Sequence, residues 1–220
     1  MNIEQARFNM IEQQIRPWNV LDADVLQLLS TVKREDFVPE AHRALAFADL
    51  ELPLRSGAEG ACMLAPKVEA RMLQDLALQP SDKVLEIGAG SGYMAALLAQ
   101  RAQRVISLEI DPELAALARA NLLKAGIHNA EVRQADGSQG APVEGPFDAI
   151  VLSGSVAEVP HKLLAQLKVG GRLLAVVGDQ PVMQATLVTR TGEAQYSTRQ
   201  DWDTVAPRLQ GFGEHSRFNF

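Results

Sequence analysis

The 220-residue chain contains a single cysteine, Cys62, and aromatic side chains make up only 5% of it. One thiol rules out an internal disulfide and suits a reducing compartment; a small buried apolar side chain is the ordinary role for it. Positive charge is in deficit, with 21 Lys and Arg against 27 Asp and Glu and a formal net charge of −6. No basic stripe with interleaved aromatics offsets that balance, which argues against a dedicated binder of nucleic acid or anionic membranes. No apolar run reaches the roughly 20 residues of a membrane span. The start, Met1-Asn2-Ile3-Glu4-Gln5, has neither the basic region nor the apolar core of a secretory signal. A cytoplasmic protein with no membrane and no nucleic-acid partner is therefore expected. Repeats and low-complexity segments are missing as well. The four histidines, at 42, 128, 161 and 215, are scattered. They suggest neither a metal site nor a positioned base, and each reads as a surface or capping residue.

The apolar fraction, 47%, is ordinary for a globular protein, and the length suits one domain with an extension. The chain is organised around Lys83-Val84-Leu85-Glu86-Ile87-Gly88-Ala89-Gly90-Ser91-Gly92-Tyr93. A short apolar run carries one carboxylate, glycines follow at every second position, and a helical pattern begins with Met94, Leu97 and Leu98. This predicts strand, tight turn, helix. Glycines let the backbone turn sharply and let a ligand lie against bare peptide, while the helix start offers unpaired N–H groups and a positive dipole end. A phosphate loop would need Lys-Ser or Lys-Thr after the last glycine, where Tyr93-Met94 stands. A dinucleotide fingerprint would need its third glycine at position 93, which is Tyr. Glu86 beside the turn disfavours a pyrophosphate and suits a cationic ligand. A glycine-rich turn with no ligand is the alternative.

Along the chain, residues 3–16 are expected to form a helix with Phe8, Ile11 and Ile15 on one face, closed by Pro17. Asp22 is placed to cap a second helix with a Val25, Leu28, Leu29, Val32 stripe. A short third helix is expected from His42 to Ala48. Leu52-Pro53-Leu54 reads as extended and Ser56 to Ala61 as a flexible loop, placed either to cover a site or to serve as a surface connection. Pro66 sits well as the first residue of a further helix with Val68, Met72 and Leu76 on its apolar face. From Lys83 strands (83–87, 104–109, 130–134, 147–152, 171–177) alternate with helices (93–101, 112–125, 159–168), which predicts a doubly wound parallel α/β sheet. Strands near 184–190 and 194–204 have only Thr191-Gly192 as a turn and should form an antiparallel hairpin at the sheet edge. Residues 1–66 are thus a helical N-terminal extension with the loop, and 67–220 an α/β domain, expected as one structural unit. Ligands in such sheets bind outside the carboxyl ends of the strands, where Gly88, Glu109, Asp136 and Ser153 all fall.

The run Glu-x-Gly-x-Gly-x-Gly, with Glu109 ending the next strand and Asp136-Gly137 after the third, resembles class I S-adenosylmethionine-dependent methyltransferases, a Rossmann-like fold. Asn9-Met10-Ile11-Glu12-Gln13-Gln14-Ile15-Arg16, Arg34 to Pro39, Ala46 to Asp49, Leu52-Pro53-Leu54, Pro146 to Ile150 and Leu164 to Arg172 further resemble the protein-L-isoaspartate O-methyltransferase family over roughly residues 5–190. The resemblance implies S-adenosylmethionine as cofactor. Gly88, Gly90 and Gly92 would lie under its methionine part, with Glu86 orienting the turn or the amino group. Glu109 would take the ribose hydroxyls, and Asp136 with Gly137 would sit at the adenine. Met63, Leu64 and Ser153 would flank the transferred methyl group. The implied activity is methyl transfer to isoaspartyl carboxylates of damaged proteins, a protein-repair reaction. One departure stands out: Leu64 falls where the family has a substrate-site serine, and Ala65 replaces a glutamine. A different acceptor, such as a small molecule or another protein carboxylate, or cofactor binding without catalysis, are the competing expectations. Nothing in the sequence fixes the oligomeric state.

Overall fold

The computed structural model describes residues 2–55 and 60–214. Asn2 caps helix α1 (Ile3–Met10), its side chain accepting the Gln5 amide at 3.3 Å. The helix widens into a π turn over Ile11–Ile15, tightens into a 3-10 turn over Arg16–Trp18, and ends at Asn19, whose φ is 63°. Asp22 caps α2 (Ala23–Thr31) by accepting the amides of Asp24 and Val25. The third helix is a 3-10 helix, Glu40–Leu45, rather than an α-helix reaching 48. Strands β1 (Leu52–Pro53) and β2 (Cys62–Met63) pair antiparallel, so the two ends of the intervening loop are held together. Residues 56–59 of the segment read as flexible lie outside the described residues. Helix α3 (Pro66–Leu76) starts on its proline and stops at Ala77, whose φ is 45°.

Strands β3 (Lys83–Ile87), β4 (Arg104–Glu109), β5 (Ala130–Gln134), β6 (Phe147–Val156), β7 (Leu167–Asp179), β8 (Val182–Arg190) and β9 (Tyr196–Thr204) form one seven-stranded sheet. Its order is β5-β4-β3-β6-β7-β8-β9. The first five strands are parallel, and β8 and β9 fold back antiparallel as the edge hairpin. Helices α4 (Tyr93–Ala99) and α5 (Pro112–Lys124) are full crossovers, while α6 is only His161–Leu164. The sequence pattern suggested a helix to 168. Leu163, Leu164 and Leu167 satisfy a helical period, yet Leu167 already pairs with Phe147 in the sheet, and the register shifts beyond it. A bulge containing Gly170, at φ 85°, absorbs the extra residues.

Alternation along the strands splits the core. Val84, Val105, Val132, Val151 and Val176 face α3, α4, α5 and the N-terminal helices. Leu85, Ile87, Ile106, Leu108, Ile150 and Leu152 face α6 and a C-terminal segment that contributes Leu209 and Phe212. Burying each such Leu or Ile side chain stabilises the fold by about 1.5–3 kcal/mol. The extension is fastened by Arg34, which is 1% exposed. Its guanidinium donates to Ala46 O at 3.1 Å and Leu64 O at 2.7 Å, pairs with buried Glu69, and lies over the Tyr93 ring. Among the described residues no helix is long and apolar enough to cross a membrane. Because β4 and β6 flank β3 on opposite sides, the chain reverses its winding at the end of β3 and leaves a crevice there.

Candidate active site

The crevice begins where β3 ends. The Gly88 amide donates to Leu108 O at 2.8 Å, and the Gly90 amide to Glu109 Oε2 at 2.9 Å. Gly90 has a φ of 52°, and a Cβ there would come within 3.2 Å of Leu54 Cδ1, so its bare peptide faces the loop between β1 and β2. Gly92, at φ 84°, has a different task. A Cβ there would sit 3.1 Å from Ala118 O, so this glycine lets α5 pack against the start of α4. Gly88 and Gly90 line the cleft; Gly92 is not among its lining residues.

Glu109 is 6% exposed, and its Oε1 accepts the Asp111 amide at 3.0 Å. Each of its oxygens therefore holds one backbone amide and keeps one further acceptor position. Asp111 caps α5 through the amides of Glu113 and Leu114 and pairs with Arg55 at 2.5 Å. Of the two tasks expected of Glu86, the structure leaves only the one beneath the turn, since Glu86 does not line the cleft. It is fully buried beneath the turn, with Ser107 Oγ donating to Oε2 at 2.6 Å and Ser153 Oγ to Oε1 at 2.9 Å. Burial, reinforced by the charges of Glu69 and Glu109, outweighs these hydrogen bonds and pushes its carboxyl up to about 8. Glu86 is therefore largely uncharged at neutral pH, and the charged side chains that line the cleft are Glu109, Asp111, Arg55 and Arg208, with Asp111 paired to Arg55.

The walls are Leu54, Arg55 and Gly60 to Cys62 on the loop side, Leu108, Ile110 and Leu114 beyond β4, Gly137 and Ser153 at neighbouring strand ends, and Arg208 to Gln210 from the C-terminal segment. Gly137 belongs there because Ile87 Cγ2 would lie 2.3 Å from any Cβ at that position. Its neighbour Asp136 is exposed, and its Oδ1 accepts the Ser138 amide at 2.9 Å, so it caps the turn without lining the cleft. Met63 and Leu64 do not line it either. Both are buried in the main core, and Leu64 offers only its carbonyl, which Arg34 takes. Cys62 does line it, but burial and the nearby Glu51 push its thiol up to about 12, which leaves it unreactive. Among the described residues no cluster of His, Cys, Asp and Glu is arranged to hold a metal ion.

Sequence reasoning missed Arg55, Asp111 and the C-terminal segment. Asp111-Pro112 carried a readable signal, a capping residue before a first-turn proline. The segment carried none, because it reaches the site by tertiary pairing alone. The Ser155 amide donates to Pro207 O at 2.7 Å, and Ser155 O accepts the Leu209 amide at 2.9 Å. Leu209 then packs on Gly88 and Gly154, 2.9 and 2.8 Å from where their Cβ atoms would be. A carboxylate with two spare acceptor positions beside the apolar Leu108, Ile110 and Leu114 makes a set suited to a ligand that bears vicinal hydroxyls and a flat ring.

The chain matches the family model described as Protein-L-isoaspartate(D-aspartate) O-methyltransferase over residues 5–205. It is 41% identical over 198 residues to Protein-L-isoaspartate O-methyltransferase 1 of Syntrophobacter fumaroxidans, covering 90% of this chain and 91% of that protein. It is 43% identical over 188 residues to Protein-L-isoaspartate O-methyltransferase of Rhodopseudomonas palustris, covering 85% of each. A solved structure from Plasmodium falciparum shares the fold. It is described as a candidate protein-L-isoaspartate O-methyltransferase in complex with S-adenosyl-L-homocysteine. Its TM-score is 0.77 at 21% identity, covering 94% of this chain and 99% of that one.

Proposed function

The chain belongs to the protein-L-isoaspartate(D-aspartate) O-methyltransferase family, and from that premise we propose that it transfers a methyl group from S-adenosylmethionine to the free carboxylate of isoaspartyl residues in proteins. The observation that carries the reading is the joint between two strand ends, where Glu109 holds the Gly90 amide and still presents two acceptor positions to the cleft. When bound, S-adenosylmethionine would supply an electrophilic methyl carbon on a sulfonium, to which a carboxylate oxygen would bond as the carbon–sulfur bond breaks and a neutral thioether leaves. The chain's own residues fit that group. In this reading Glu109 would accept from the ribose hydroxyls, Gly88 and Gly90 would lie against the methionine part, and Leu108, Ile110, Leu114 and Gly137 would enclose the adenine, all of them residues that line the cleft. Glu86 acts from beneath, holding Ser153 rather than touching the ligand.

In-line displacement needs alignment and exclusion of water more than proton transfer. An acceptor carboxyl has a reference pKa near 4 and is already ionised at neutral pH, so no base is required. That agrees with a cleft whose lining contains neither His nor Lys among the described residues. A cytoplasmic setting belongs to the same reading and is supported by the single cysteine, which leaves no internal disulfide to form. The test is incubation with a peptide carrying one isoaspartyl residue and methyl-labelled S-adenosylmethionine. Base-labile label in the peptide, absent from the ordinary aspartyl peptide, is expected; no label above background would overturn the assignment.

A further inference from the structure

An acceptor carboxylate that enters this cleft meets Glu109 and Asp111, both acidic, and needs a cation on its own side. Two arginines line the cleft, Arg55 and Arg208. Arg55 is committed, paired with Asp111 and Glu113. Arg208 is half committed: its Nη2 donates to Gly178 O at 2.9 Å and pairs with Asp179 at 2.5 Å. Its Nη1 is buried and has no hydrogen-bond partner among the described residues. A buried, unpaired guanidinium nitrogen is costly, and the cost is removed by an incoming acceptor group.

The backbone around Arg208 is held on both sides. Pro207 and Leu209, on either side, are hydrogen-bonded to the Ser155 backbone, and Ser155 Oγ donates to Ala206 O at 2.8 Å. Arg208 also lines a second hollow, shared through Gly60 and continuing past Gln180, Val205 and Pro207. The residue therefore stands where an open surface groove meets the enclosed cleft. Ser153, whose hydroxyl also lines the cleft, is engaged with Glu86 Oε1 at 2.9 Å.

We propose that Arg208 is the residue that binds the methyl-acceptor carboxylate, its free Nη1–H donating to one oxygen while the peptide runs out through the groove beside Val205 and Pro207. Arginine suits the task because its planar fork keeps one arm on Asp179 while the other holds a carboxylate. This assignment rests on the carboxyl-methyltransferase reading and identifies the acceptor as an anion recognised by charge.

The test compares an isoaspartyl peptide with its isoasparaginyl analogue, in which the same carboxylate is a carboxamide, as substrate and as competitive inhibitor. The wild-type protein is expected to bind the carboxylate peptide at least about tenfold more tightly than the carboxamide. Arg208→Gln, and Arg208→Met, which keeps the aliphatic stem, are expected to bring that ratio close to one. Both should raise the peptide KM at least about tenfold and leave the Kd for S-adenosylhomocysteine within about twofold, as expected for a residue that touches only the acceptor. A ratio near one in the wild-type protein, or a ratio unchanged in whichever variant folds, overturns the role of Arg208 while methyl transfer itself stands. No transfer to the isoaspartyl peptide by the wild-type protein overturns the underlying reading, and this assignment with it.

Discussion

The amide of Gly90 donates to Glu109 Oε2 at 2.9 Å, so the acid ending β4 holds in place the turn that ends β3. Glu109 thereby has two tasks, shaping the turn and presenting its remaining acceptor positions to a ligand. Replacing it should damage both unequally. Glu109→Ala leaves two backbone amides without their carboxylate and removes the ribose acceptor. Hydrogen bonds to charged groups are worth about 1.5–3 kcal/mol each, so the Kd for S-adenosylhomocysteine should rise by two orders of magnitude or so. Glu109→Gln keeps one carbonyl acceptor and should lose less. Calorimetric titration of both variants checks the order, and equal affinity across the wild-type protein and both variants would remove Glu109 from the site.

Glu86 makes the fold pH-sensitive in a definite direction. Its carboxyl titrates near 8 when folded, against an ordinary 4.5. Between those values the unfolded chain has released a proton that the folded chain keeps, so stability falls as pH rises from about 4.5 to about 8 and levels off above. Below 4.5 both states are protonated and the burial carries no such cost. Glu86→Gln cannot ionise and escapes the loss. Its melting temperature relative to wild type should improve by at least about 3 °C between pH 5 and pH 8.5. Thermal scans at the two values decide it, and a pH-independent difference would mean that Glu86 ionises freely in place.

The backbone plan was legible in the sequence because its signals are local. Glycine spacing after Ile87, the Asp111-Pro112 helix start and the alternating valines and leucines each act within a few residues. Two things were hidden. The carboxylate of Glu86 looked like a ligand group because its burial depends on Ser107 and Ser153, which lie 21 and 67 residues away. The C-terminal segment carries no local signal for its place, yet Leu209 and Phe212 pack on the second core and Arg208 lines the cleft. Its last residues, 215–220, lie outside the described part. Position along the chain said nothing about either, because both are fixed by which strand ends meet.

Arg55 ties the loop between β1 and β2 to the start of α5 through Asp111 at 2.5 Å and Glu113 at 2.9 Å. It is 40% exposed and Glu113 is 78% exposed, so the contact adds little to global stability, about 0–1 kcal/mol. Its effect should appear instead in ligand retention, since the loop forms one wall of the cleft. Arg55→Ala is expected to speed S-adenosylhomocysteine release several-fold with a melting temperature within about 2 °C of wild type. In wild type the release rate should rise with salt, as screening weakens the pair, and in the variant it should not. Stopped-flow displacement at low and high salt separates the cases; identical salt dependence in both proteins would exclude the tie.

Gly92 and Gly126 allow strain and crowding to be told apart. Both have positive φ, 84° and 70°, but a Cβ on Gly126 would meet nothing within 4 Å, while one on Gly92 would press on Ala118 O at 3.1 Å and Ala118 Cα at 3.2 Å. Gly126→Ala should therefore cost only the left-handed backbone penalty, about 1 kcal/mol. Gly92→Ala should cost that plus the separation of α4 from α5, on the order of 2–4 kcal/mol in total. Because Gly92 does not line the cleft, its variant should lose more stability and less cofactor affinity than Gly90→Ala. Denaturant unfolding of the three alanine variants, read beside their S-adenosylhomocysteine affinities, measures both effects. If Gly92→Ala proves no less stable than Gly126→Ala, α5 can back away from the turn, and the third glycine must serve the ligand after all.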